Sequence, residues 1–255
     1  MIGAIIGDIV GSVYERHNIK TKDFEFFSEG SRFTDDTVMT CAVCYAVREY
    51  KARSNVNVIG LFQKRMVELG QMYPDAGYGG KFRQWLQNDY RRPYGSYGNG
   101  SAMRVSACGM LADTLEEAHN LAVYSAEVSH NHPEGIKGAV AVAEAIYLAR
   151  QKKTKDEIRV HLSQYYDLNF TLDEIRPTYE FDSSCQGSVP QAIEAFLEAE
   201  NFEDAIRNAI SIGGDSDTIA AIAGSIAEPY FGIPARLKAR AYGYLTPPLR
   251  QALGI

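Results

Sequence analysis

Two short segments crowd carboxylates and hydroxyls where helices should begin. Thr34-Asp35-Asp36-Thr37 runs into Val38, Met39, Cys41 and Ala42, and Gly213-Gly214-Asp215-Ser216-Asp217-Thr218 runs into Ile219-Ala220-Ala221-Ile222-Ala223-Gly224. Acids in a first helical turn can serve simply as favourable partners of the helix dipole. Adjacent helical residues also point about 100° apart, so Asp35 and Asp36 converge on one ion only at an irregular first turn. The helix after Thr218 argues for more: it is apolar enough to be buried on most of its surface, which turns its acidic start inward, toward something positive. Oxygen ligands of this kind suit Mg²⁺, and four aspartates exceed what one Mg²⁺ usually takes, which points to two ions.

Two further segments depart from a plain amphipathic pattern. Gly3-Ala4-Ile5-Ile6-Gly7-Asp8-Ile9-Val10-Gly11 is almost continuously apolar, with glycines that admit close neighbours. A buried Asp8 must be hydrogen-bonded or bound to a cation, and Glu15, seven residues on, should project from the same helical face. Tyr94-Gly95-Ser96-Tyr97-Gly98-Asn99-Gly100-Ser101 places three glycines just ahead of a helix start, a natural backbone cradle for a diphosphate. Gly77-Tyr78-Gly79-Gly80 is a second such loop. His130 and His132 stand between two helices, where histidines serve as caps or as ligand contacts; the carboxylate-rich setting disfavours zinc.

Helices must position these groups. Thr114-x-x-Glu117, Thr154-x-x-Glu157, Thr171-x-x-Glu174 and Ser188-x-x-Gln191 fit the capping box, each before apolar residues at three- and four-residue spacing. Period-two alternation is scarce, and the one Asn-Gly pair lies inside the glycine-rich loop. The expected helices cover 3–14, 35–52, 56–73, 79–88, 101–113, 115–130, 133–151, 155–166, 189–199, 202–212, 216–230 and 235–243, with long links only at 17–33 and 167–187. No composition shift or repeat divides the chain, so one all-α domain over 1–255 is expected.

Composition narrows the classes. Hydrophobic residues at 45% and charged residues at 23% describe a globular chain, and the net charge of −6 disfavours a stable nucleic-acid partner and suits a monomer. The apolar start is short, contains Asp8 and lacks a basic flank, so neither a signal peptide nor a membrane span is expected and the reading is cytoplasmic. Cys41 and Cys44 have C-x-x-C spacing, but Cys108 and Cys185 stand alone, which favours small core hydrophobes over a zinc site.

Together these segments resemble the ADP-ribosylglycohydrolase family. The matching residues are Gly3 to Glu15, Phe33-Thr34-Asp35-Asp36-Thr37, Gly95 to Gly100, Ala102-Met103-Arg104 and Gly213 to Thr218, with Ser188 to Ile193 and Ala223 to Ala227 in support. The resemblance implies an all-α orthogonal multi-helix fold with two Mg²⁺ ions, Mn²⁺ in some relatives, at the base of a cleft. Thr34, Asp35 and Asp36 would hold one ion and Asp215, Asp217 and Thr218 the other, with Asp217 placed to bridge. It further implies that Glu15 and Asp35 carry the acid–base work, that Tyr94 to Gly100 wrap the diphosphate and adjoining ribose, and that His130 lines the ligand cleft. The implied reaction is hydrolytic release of ADP-ribose from a modified protein or small molecule, at the ribose anomeric carbon. The loop spelling is closer to the branch acting on serine-linked ADP-ribose than to the arginine-specific branch, while Ser101 and the segment from His130 to Gly135 depart from it. A two-metal phosphoesterase and a non-catalytic, crystallin-type family member are the alternatives. The first lacks its usual histidine shell, and retention of Glu15 and four metal-side aspartates argues against the second.

Overall fold

The computed structural model describes residues 1–53 and 56–255, and they fold as helices joined by loops, with no strand among them beyond an isolated antiparallel bridge between Gly98 and Ser184. The helices are α1 (Ile2–Gly11), α2 (Asp35–Ala52), α3 (Val58–Met72), α4 (Gly80–Gln87), α5 (Gly100–Met103), α6 (Ser106–Leu111), α7 (Leu115–Glu127) and α8 (Pro133–Arg150). They continue as α9 (Lys155–Leu162), α10 (Leu172–Ile175), α11 (Cys185–Leu197), α12 (Phe202–Ser211), α13 (Ser216–Phe231), α14 (Ala235–Tyr244) and α15 (Pro247–Leu253). Their apolar faces meet in one contiguous core, in which all four cysteines are buried and free. No described helix is long and apolar enough to cross a membrane.

The pair α1 and α13 sets the frame of the cleft. Gly3, Gly7 and Gly11 recur every four residues and form one stripe down α1. A Cβ at Gly3 would stand 2.1 Å from the Gly224 carbonyl oxygen, one at Gly7 2.1 Å from that of Ala220, and one at Gly11 2.5 Å from the Asp217 Cα. The two helices therefore run antiparallel in backbone contact, which only residues without side chains permit. The consequence is positional: the C-terminal end of α1, carrying Asp8, lies against the acidic N-terminus of α13.

Several expected boundaries move. The first helix stops at Gly11, where the Ser12 hydroxyl donates back to the Ile9 carbonyl at 2.9 Å, so Glu15 lies in a bend beyond the helix and not two turns along it. The expected helix 101–113 divides into α5 and α6 around Arg104 and Val105. α11 starts at Cys185, capped by Ser184, so Ser188 does not cap it; Ser188 instead donates to the Ser184 carbonyl at 2.6 Å. Full capping boxes form at Thr154 and Thr171. At Thr114 the hydroxyl accepts from Glu117 N, but the Glu117 carboxylate turns to Asp113 N and Lys51. The short helices α10 and α15 fall where no helix is expected, and α9 ends at Leu162, short of 166.

Candidate active site

Asp8 organises the first acidic segment. Its buried carboxylate accepts from Thr34 N at 2.9 Å, Thr34 Oγ1 at 2.6 Å, Thr37 N at 3.0 Å and the Thr37 hydroxyl, so the start of α2 wraps around it. These four donors satisfy Asp8 without a cation as direct partner, yet burial still holds its carboxyl above the usual range. Thr34 caps α2, accepting from Asp36 N.

The second acidic segment depends on glycine conformation. Gly213 and Gly214 have φ of +73° and +74°, left-handed values that other residues rarely adopt, and they turn the chain into α13. Asn18 braces the turn, accepting from Gly214 N at 2.7 Å and donating to Gly214 O at 2.9 Å. Lys20 donates to Ile212 O at 2.5 Å, so the loop after α1 holds this segment in place.

Both acidic segments meet beneath one cleft of about 770 Å³. Asp8, Asp36 and Asp217 present carboxylate oxygens within 4.8 Å of one another, all buried. Asp36 Oδ2 accepts from Thr218 Oγ1 at 3.2 Å, and Asp217 Oδ1 accepts from Thr218 N at 2.9 Å. Asp36 Oδ1, by contrast, is buried with no hydrogen-bond partner. Burial and the charges of Asp217 and Asp8 push Asp36 far above the usual carboxylate range, and burial and Asp215 do the same to Asp217. Half-buried Asp35 is raised to about 7 by burial and then by Asp8. An orphaned carboxylate oxygen among acids too crowded to ionise together fits a divalent cation with oxygen ligands. Glu15, half-buried, lines the same cleft beside Asp215 and Asp217.

The glycine-rich loop forms a wall joined to this floor. Asn99 Nδ2 donates to Asp215 Oδ2 at 2.8 Å. Asn99 N donates to Ser183 O at 2.8 Å and Cys185 N to Tyr97 O at 2.9 Å, so the segment before α11 clamps the loop. Tyr94 N and Gly95 N bond to Ser129 O and Asn131 Oδ1, and Gly98 N to Ser96 Oγ. Among the described residues this leaves the amides of Ser96, Tyr97, Gly100 and Ser101 without protein partners. Tyr94, Ser96, Gly98, Asn99 and Gly100 line the cleft, as do Gly77, Gly79 and Gly80 of the second glycine loop.

The two histidines separate. His132 caps α8, its Nδ1 accepting from Glu134 N at 3.1 Å, whereas buried His130 lines the cleft. Sequence reasoning missed Asp8 as the hub of the Thr34–Thr37 turn and Arg104 as a cleft residue. Both carry a signal: each is a lone charge inside a small, apolar stretch.

Comparison with known proteins agrees with this geometry. The family model described as ADP-ribosylglycohydrolase matches residues 1–250. Human ADP-ribosylhydrolase ARH3 is 27% identical, with 91% of this chain and 84% of that protein covered. The ADP-ribosyl-[dinitrogen reductase] glycohydrolase of Rhodospirillum rubrum is 22% identical, with 91% and 84% covered. A solved structure titled ADP-ribosylglycohydrolase-related protein complex shares the fold, with a TM-score of 0.69 over 99% of this chain and 95% of its own at 19% identity. On the match over nearly its whole length, the chain belongs to the ADP-ribosylglycohydrolase family of hydrolases.

Proposed function

We propose that the protein is a Mg²⁺-dependent ADP-ribosyl hydrolase that cleaves the bond at the ribose anomeric carbon of ADP-ribosylated acceptors, serine-linked ones first. One observation carries the reading: the Asn99–Asp215 hydrogen bond joins a phosphate-cradling wall to a cation-requiring floor within one cleft. ADP-ribose has this polarity, with a diphosphate at its centre and a polyhydroxylated ribose at the reacting end. Thr34, Asp35 and Asp36 would hold one Mg²⁺ and Asp215, Asp217 and Thr218 a second, with Asp217 shared; Mn²⁺ suits the same oxygen donors. Bound there, the ions supply positive charge and a template for ribose hydroxyls.

The chain's own residues do the rest. The free amides of Ser96 and Gly100, both at the cleft lining, receive diphosphate oxygens. Glu15 and Asp35 share the acid–base work: one takes the proton of the attacking water and the other protonates the departing acceptor oxygen. Their charge also offsets the oxocarbenium character that develops at the anomeric carbon. Human ADP-ribosylhydrolase ARH3 and the Rhodospirillum rubrum glycohydrolase, both named for ADP-ribose chemistry, support the assignment. The test offers serine-, arginine- and poly-ADP-ribosylated substrates side by side with Mg²⁺. Release of ADP-ribose from the serine-linked substrate is expected; no release from any of them, with Mg²⁺ or Mn²⁺, would overturn the reading.

A further inference from the structure

Behind the glycine-rich loop lies a buried cation without an anion. Arg104 is 1% exposed, and the ionisable groups acting on it are Tyr94, Cys108 and Cys185, none of them a carboxylate. Its Nη2 donates to Ser125 O at 2.7 Å and to Ser129 Oγ at 3.0 Å, its Nε has no partner, and its guanidinium lies 5.8 Å from the Phe82 ring centre. Ser129, also buried, lies with Oγ 2.8 Å from Nδ1 of His130.

Counting protons along this row gives it a direction. An arginine only donates, so Ser129 Oγ accepts from Arg104. The serine hydroxyl has one proton, and His130 Nδ1 is the acceptor within reach. The opposite arrangement, with Nδ1–H donating to Ser129, would strand the serine proton in a buried site with no acceptor. Nδ1 is therefore bare, and the proton of a neutral imidazole resides on Nε2. Burial, reinforced by the charge of Arg104, keeps His130 uncharged. Nε2 has no protein acceptor among the described residues, and two glycines leave its face open: a Cβ at Gly100 would stand 3.0 Å from it, and one at Gly98 3.7 Å.

We infer that Arg104 and Ser129 are positioning residues that lock His130 in its Nε2–H tautomer, aiming an uncharged donor at an anionic ligand oxygen beside the Gly98–Gly100 backbone. Resting on the reading above, that oxygen belongs to the diphosphate of ADP-ribose. Arg104, itself at the cleft lining, acts on His130 through Ser129, and its unpaired charge adds attraction for the anion. A histidine held this way donates at any pH where it stays neutral, unlike an imidazole free to exchange tautomers.

Long-range ¹H–¹⁵N correlation spectra of the full chain test the lock, because they distinguish protonated from bare ring nitrogens. The chain has five histidines, and His130→Gln identifies the signals of His130. The wild type should show His130 protonated at Nε2 and bare at Nδ1, with the Nε2 signal moving on addition of ADP-ribose. Ser129→Ala should give mixed tautomers and weaken ADP-ribose binding about tenfold by calorimetry, while Ser129→Thr should restore both to within about twofold of wild type. A wild-type His130 protonated at Nδ1 would overturn the inference. So would a Ser129→Ala protein whose melting temperature falls while its tautomer stays unchanged, since that is the signature of a merely structural serine. A locked tautomer in a protein that binds no ADP-ribose would uphold the relay and count against the functional reading instead.

Discussion

Buried carboxylates occur in two kinds of place in this molecule: some face a basic side chain, and others face mainly one another. Away from the cleft floor, Glu194 of α11, whose carboxyl pKa burial also raises, takes a two-pronged contact from Arg159, both hydrogen bonds 2.7 Å long. Glu144 of α8 is bracketed by His119 at 2.8 Å, His161 at 2.6 Å and the Tyr165 hydroxyl at 3.0 Å. Glu49 of α2 pairs with Arg65 and Arg53, and Arg65 holds it below the usual range. The cleft floor brings together Asp8, Asp35, Asp36, Asp215 and Asp217 without an ion pair from any of them among the described residues, and all are pushed upward. Acids with basic partners are tied into the fold, whereas Asp36, with one oxygen unpartnered, and Asp217 face mainly other acids, a repulsion that a cation would offset.

The contrast is broken most severely by removing charge from the floor. Asp217→Asn or Asp35→Asn should lower ADP-ribose release by about a hundredfold or more. The same changes should leave the helical circular-dichroism spectrum intact and raise the melting temperature of the metal-free protein, because a repulsion is removed. Turnover at the wild-type level with saturating Mg²⁺ would remove that residue from the site. Glu15→Gln separates chemistry from binding: the rate should fall about a hundredfold while ADP-ribose affinity, read by calorimetry, stays within about tenfold. Equal losses of rate and affinity would make Glu15 an anchoring group and leave Asp35 as the acid–base residue.

On the partnered side the signs reverse. Glu194→Gln should cost about 2 kcal/mol of stability, a figure kept low because Arg159 is partly exposed, and should leave hydrolysis unchanged. Chemical denaturation and the release assay check the two halves of that statement.

How much of this was legible in the sequence follows from what each feature depends on. The acidic helix starts, the glycine stripe of α1 and the glycine-rich loop are local, and their positions in the chain suffice to suggest a cleft with a metal-binding floor. Asp8 looked like a buried acid needing a partner, but that its partners are Thr34 and Thr37 depends on a fold that closes 26 and 29 residues of chain. Glu15 reaches the cleft through a turn, since the helix ends where Gly11 meets the backbone of Asp217. The break between α5 and α6 was hidden because 101–113 has ordinary helical composition, while Arg104 turns inward to reach Ser125 O. The clamp from Ser183 and Cys185 lies in a stretch without periodicity, so nothing local announces it.

A smaller effect sharpens the comparison through pH. Asp35 is held at about 7, above its value in an unfolded chain, so the metal-free folded protein keeps a proton that the unfolded chain has released. That contribution to stability is present below about pH 4 and is lost as pH rises toward 7. Melting temperatures in EDTA should therefore fall between pH 5 and pH 8, and Mg²⁺ should flatten the decline; parallel curves with and without the ion would contradict the assignment.

Whether the acidic floor works only with a divalent cation is tested most directly by one measurement on metal-stripped wild-type protein. ADP-ribose release from a serine-ADP-ribosylated peptide is followed while Mg²⁺ is titrated back, with bound ions counted by calorimetry. No release in EDTA, full recovery with Mg²⁺ and two ions bound per chain are expected. Undiminished release in EDTA would contradict the cation requirement.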